Sequence, residues 1–96
     1  MMQMDQNPFG KDDKIKFPVN YDLKIILIAN GLHKENMASI EKVFNQLGVS
    51  FLNWRHKDSG KGKYTSYTVH VRISDESLMK KLYEELNTVP GFKMAI

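Results

Sequence analysis

Three observations predict an α+β domain whose elements run βαββαβ. Residues 64–73 alternate polar and apolar side chains over a full strand length, with Tyr67, Val69, Val71 and Ile73 on one face and Tyr64, Ser66, Thr68, His70 and Arg72 on the other. Residues 21–28 make a second strand, Ile-rich and suited to the centre of a sheet. Apolar residues then recur at helical spacing in two segments, 37–47 and 78–86, one after each of those strands.

From the N-terminus, residues 1–16 carry too few bulky apolar side chains to offset the entropy of ordering them, and a flexible tail is expected. Residues 17–96 remain as a single domain, with order beginning near Phe17-Pro18. In the first strand Tyr21, Leu23, Ile25 and Leu27 share the core face. Asn30-Gly31 ends it as a turn, and Met37, Ile40, Val43, Phe44 and Leu47 form the stripe of the first helix, closed by Gly48 as a left-handed cap. Residues 49–56 read as a second strand. Asp58-Ser59-Gly60-Lys61-Gly62-Lys63 is then a polar hairpin connection into the third. Ser74-Asp75-Glu76 supplies an N-cap and first-turn carboxylates for a second helix with core stripe Leu78, Leu82 and Leu86 and Tyr83 at its margin. Residues 92–96 form a short last strand with Phe92, Met94 and Ile96 expected on one side.

This order is that of the split βαβ, or ferredoxin-like, sandwich. Right-handed crossovers place both helices on one face of a four-stranded antiparallel sheet in order 4-1-3-2, with the two most aliphatic strands in the middle. The other sheet face is left free.

Ninety-six residues bury one core and no more. Hydrophobic residues at 42% and charged residues at 26% are those of an ordinary globular chain. With no cysteine, disulfides and thiolate metal ligation are excluded. The longest apolar run, residues 25–29, is far below the roughly 18 residues of a membrane span, so a cytoplasmic protein without a membrane partner is expected. A net charge of +3 and a pI near 9.2 allow modest attraction to polyanions.

Tests for specific chemistry are mostly negative. Ser59-Gly60-Lys61-Gly62-Lys63 resembles a phosphate cradle in composition, but a P-loop opens a helix and this segment opens a strand. His33, His56 and His70 show no paired ligand spacing. No serine stands in a nucleophile elbow, and the arginine-bearing glycine loop of acylphosphatases, which share the fold, has no counterpart in Asn30-Gly31-Leu32-His33-Lys34-Glu35. RNA recognition motifs read bases from aromatics on one face of the third strand, whereas Tyr64 and Tyr67, three apart, point to opposite faces. Trp54 either supplements Tyr64 on that surface or, as is commoner for an edge-strand tryptophan, packs under a helix or at an interface.

The segment Ser59-Gly60-Lys61-Gly62-Lys63-Tyr64-Thr65-Ser66 resembles the YbeD-like family of small bacterial proteins of unknown function. Phe17-Pro18, Lys24, Leu82-Tyr83-Glu84-Glu85-Leu86 and Lys93-Met94-Ala95-Ile96 fit the same pattern, so the resemblance spans residues 17–96; residues 49–57, with Trp54-Arg55-His56, depart from it. The resemblance implies a fold similar to the regulatory ACT domains of amino-acid metabolism enzymes, a connection to lipoate metabolism, and no catalytic residues. ACT domains bind small effectors at a subunit interface near the loop after the first strand. Asn30 and Gly31 stand there in this chain.

The leading expectation is a non-enzymatic regulatory or interaction module that binds a protein partner or a small effector, needs no cofactor, and is compatible with a homodimer. Ser59, Lys61, Gly62, Tyr64, Ser66 and Arg72 are its candidate partner or anion-binding patch, and Asn30 and Gly31 its candidate effector loop. The second expectation is a weak single-stranded nucleic-acid binder using Lys24, Tyr64, His70, Arg72 and the basic hairpin.

Overall fold

In the computed structural model, which describes residues 16–96, the elements follow as β1 (Val19–Ile28), α1 (His33–Leu47), β2 (Ser50–Asp58), β3 (Tyr64–Ile73), α2 (Glu76–Leu86) and β4 (Phe92–Ala95). The expected tail lies outside the described residues apart from Lys16, which is exposed. The sheet runs β2-β3-β1-β4, the expected 4-1-3-2 order read from the other edge, and every pairing is antiparallel.

The alternation of β3 is kept along its whole length. Tyr67, Val69, Val71 and Ile73 are fully buried, as are Leu23, Ile25 and Leu27 across the ladder in β1. They pack against Ile40 and Phe44 of α1 and Leu82 and Leu86 of α2. Each such side chain contributes about 1.5–3 kcal/mol by leaving water. Phe17 packs on the edge of this core just before β1.

The helix ends follow local chemistry. Gly48 adopts φ 73°, and the Val49 N–H donates to the Phe44 carbonyl at 2.9 Å, which ties off α1 as a left-handed cap does. At the start of α2 the Leu78 N–H donates to the Asp75 carboxylate at 2.8 Å. Removing such a cap costs about 1 kcal/mol.

Two irregularities decide which side chains face the helices. In β2 the ladder moves from Leu52 opposite His70 to Arg55 opposite Thr68, so Asn53 and Trp54 together face Val69. Asn53 takes φ 61° at this bulge, a conformation asparagine tolerates better than most residues. Phe51 and Trp54 therefore both point to the helix side, where their rings lie 5.0 and 6.2 Å from Phe44. Of the two expectations for Trp54, packing under a helix is the one realised. In β4, Ile26 pairs with Met94 but Leu27 with Phe92, so Lys93 is the extra residue. Phe92 and Ala95 consequently pack on the core. Met94 and Ile96 lie beside Ile26 and Lys24 on the open face, which corrects the grouping of Phe92, Met94 and Ile96 on one side.

Candidate functional site

At the end of the sheet where β1 stops and β3 begins, polar side chains collect on the helix side. The Asn30 carboxamide oxygen accepts from the Leu32 N–H at 2.9 Å, shaping the turn into α1. It also accepts from Asn36 Nδ2 at 3.0 Å, and Asn30 Nδ2 donates back to Asn36 Oδ1 at 3.4 Å. Asn36, buried in the first turn of α1, directs its other amide hydrogen to the Tyr67 hydroxyl at 2.8 Å. His33 Nδ1 lies 2.8 Å from the same hydroxyl, at hydrogen-bond distance, with the donor set by the His33 tautomer. The His33 and His56 rings stack with centroids 4.2 Å apart, and both approach the Tyr67 ring at about the same distance, 5.9 Å edge-on and 6.0 Å tilted.

Burial raises the Tyr67 hydroxyl pKa; the Asn36 bond opposes this, and the nearby Asp58 charge adds to it. The phenol therefore stays neutral and acts as the fixed centre of the cluster. Asp58 is itself held by a 2.7 Å bond from the Thr65 hydroxyl.

The hairpin meets this end. Ile28 pairs with Tyr64, and the Ala29 N–H donates to the Lys63 carbonyl at 2.9 Å, so the Asn30-Gly31 turn lies against the hairpin base. Gly31 has φ 74° and open space where a Cβ would stand, so the backbone conformation requires glycine rather than any close approach within the chain. In the hairpin, Ser59 Oγ accepts from the Lys63 and Tyr64 N–H groups at 3.1 and 3.3 Å, and the Gly62 N–H closes on the Ser59 carbonyl with φ 68°. Ser66 donates to the Lys57 carbonyl. These three residues hold the turn and its strands, while Lys61 and Tyr64 are exposed. Arg72 lies eight residues along β3 from Tyr64, about 27 Å away at the rise of a strand, so it shares no small-ligand site with Lys61.

Lys24, Tyr64, His70 and Arg72 all stand on the open face, and Tyr64 and Tyr67 point to opposite faces. On that face Asp22 meets His70 Nδ1 at 2.9 Å and Arg55 at 3.3 Å. The hydrogen bond from His70, then that from Arg55, holds its carboxyl below the usual carboxylate range. Among the described residues no three His, Asp or Glu side chains converge as for a metal ion. A shallow depression of about 750 Å³ between the C-terminus of α1 and the N-terminus of α2 lies at the opposite end of the domain.

His33, Asn36, His56 and Tyr67 were not singled out as site residues by sequence. Tyr67 reads there as core, and Asn36 carries no sequence signal. Strict alternation from Phe51 sends His56 to the open face, and only the bulge at Asn53 brings it to the helix side.

A family model described as a protein of unknown function (DUF493) matches residues 12–96. The chain belongs to the DUF493 family. This is the YbeD family that the hairpin and third strand resemble. No curated protein matches the chain. Among solved structures, the chain is similar to protein HP0495 from H. pylori over 100% of this chain and 98% of that one at 14% identity, TM-score 0.67. The C-terminal domain of MgtC from Mycobacterium tuberculosis matches over 88% and 89% of the two chains at 15% identity, TM-score 0.63. The ACT domain of GTP pyrophosphokinase from Chlorobium tepidum matches over 82% and 96% at 9% identity, TM-score 0.62. At these identities the likeness is one of fold: a ferredoxin-like, ACT-like sandwich.

Proposed function

We propose that this DUF493 protein is a non-enzymatic regulatory module that binds a small carboxylate-bearing effector at the Asn30-Gly31 end of the sheet. The observation that carries the reading is the polar cluster beside that turn: His33 and Asn36 lie at hydrogen-bond distance from the buried Tyr67 hydroxyl, Asn30 is bonded to Asn36, and the His56 ring stacks on His33. Tyr67 is fully buried and held neutral, so it serves as a brace and not as a nucleophile. His56 is exposed, Gly31 adds no side chain, and the start of α1 has no side-chain cap, so hydrogen-bond donors face a ligand approaching there. An effector bound here touches β1, α1, β2 and β3 together. Such a ligand changes the packing of two layers at once, which is what a regulatory domain transmits.

The test is an NMR titration of the labelled protein with the common amino acids and with lipoate, the latter addressing the metabolic connection that the family resemblance implies. A ligand of this site shifts the Gly31, His33 and Tyr67 amides and loses at least tenfold in affinity in His56→Ala, whose exposed side chain is not needed for folding. Raising salt from about 50 to 200 mM changes that affinity little, whereas a polyanion binder loses orders of magnitude. Shifts confined to the hairpin tip, or no shifts with any ligand of the set, overturn the reading.

A further inference from the structure

The open sheet face, on the other side of the sheet from the polar cluster, is built of two unlike halves. At the corner nearest the chain reversal, Ile26 and Ile28 of β1 stand beside Tyr64 of β3 and beside Met94 and Ile96 at the other edge. Ile28 is 55% exposed and its cross-strand neighbour Tyr64 36% exposed, while Ile96, also 36% exposed, stands beside Lys24 further along β1. The side-chain charges on the same face are Lys24, Arg55, Lys57 and Arg72 against Asp22, and Asp22 is already engaged by Arg55 and His70. An aliphatic corner on a face where Lys24 and Lys57 have no carboxylate partner among the described residues is not what a merely solvated surface requires.

Physical arguments narrow the occupant. A second copy of this chain docked face to face sets the four cations against their own images, a like-charge juxtaposition that costs affinity. Nucleic acid takes its stacking energy from aromatic side chains gathered on one platform, whereas the rings on this face, Tyr64 and His70, stand far apart along β3 and His70 is bonded to Asp22. Adding a strand at the β2 edge is opposed by the bulge at Asn53 and the charges of Arg55 and Lys57. A helix suits the surface: sheet faces are ordinarily covered by helices, and the three strand spacings of this sheet, about 14 Å, seat one helix about 10 Å across.

We infer that the open face docks an acidic amphipathic helix of a partner protein. The apolar stripe of that helix covers Ile26, Ile28, Tyr64 and Met94, and its carboxylates meet Lys24 and Lys57. Bound this way, the partner buries the second face of the sheet without disturbing the first.

The inference is tested with two designed peptides of equal length that share a leucine stripe at helical spacing, one with glutamate and one with lysine at the remaining positions, and with a single-stranded oligouridylate. The acidic peptide is expected to shift the Ile26, Ile28, Tyr64 and Met94 amides at concentrations up to about 1 mM, the weak end of specific association. Ile28→Ser is expected to weaken binding at least fivefold, and Lys24→Glu with Lys57→Glu at least tenfold. All three positions are exposed, and an unchanged thermal melt confirms folding. Equal binding of the lysine peptide, binding of the oligouridylate alone, self-association mapped to this face, or no shift with the acidic peptide overturns the inference. None of these outcomes bears on the Asn30-Gly31 site, whose own titration reads different amides.

Discussion

The two faces of β3 share one backbone and differ in almost everything else. Thr65, Tyr67, Val69, Val71 and Ile73 are at most 1% exposed, and between them Tyr64, Ser66, Thr68, His70 and Arg72 face outward. On the helix side a substitution meets α1 or α2. On the open side it meets Asp22, Arg55 and water. Stability is therefore concentrated on one face, and the other is free to carry binding chemistry at little cost to the fold. The helix-side polar cluster is an exception, since Tyr67 belongs to both the core and the candidate site.

The largest contrast is expected between adjacent positions of this strand. Val71→Asp buries a charge with no partner and is expected to cost more than about 4 kcal/mol or to prevent folding. His70→Asp places a second carboxylate opposite Asp22 and is expected to cost about 1 kcal/mol or less. Chemical denaturation of both variants measures the difference, and equal losses would break the division between the faces.

A smaller contrast separates Tyr67→Phe from Thr68→Val. The first strips the hydroxyl that pairs Asn36 with His33 and leaves a buried amide hydrogen unsatisfied, at about 1–3 kcal/mol. The second alters a half-buried position on the open face and is expected to stay within about 0.5 kcal/mol. Thermal melts of the pair sharpen the comparison. A neutral Tyr67→Phe would mean the cluster is held from elsewhere.

The smallest effect is in pH. Tyr21 and Tyr83 share a 2.8 Å hydroxyl contact, and burial raises the pKa of both, as it does for Tyr67. Above pH 10, the unperturbed value, the unfolded chain releases phenolic protons that the folded chain retains. The unfolded state then binds fewer protons, so stability is complete below pH 10 and falls as pH rises beyond it. At pH 10.5 the loss is expected to be below about 1 kcal/mol per tyrosine. Denaturation curves at pH 9 and 10.5 should show it, and Tyr21→Phe with Tyr83→Phe should flatten the difference.

Much of this was legible in the residues. The alternation of residues 64–73, the stripe through Ile40, Val43 and Phe44, Gly48 after one helix and Asp75 before the other are local signals with a local cause. Backbone geometry repeats every 2 or 3.6 residues, and orphan groups at helix ends need particular neighbours. Sheet order followed as well, because crossover handedness leaves few alternatives. The candidate site was only half legible. Asn30-Gly31 stands out as a turn in any context, but Tyr67, Asn36, His33 and His56 come from three elements and meet only when α1 is laid on the sheet.

Sequence by itself therefore determined the elements, the core faces of β1 and β3, and the order of the sheet. Tertiary structure alone decided the side on which Trp54, His56 and Met94 lie. A single extra residue at Asn53 in one edge strand and at Lys93 in the other reverses the alternation beyond it. Whether a strand admits that extra residue depends on its pairing with the neighbouring strand and on the helix packed above, a balance of nonlocal contacts that no stretch of consecutive residues records.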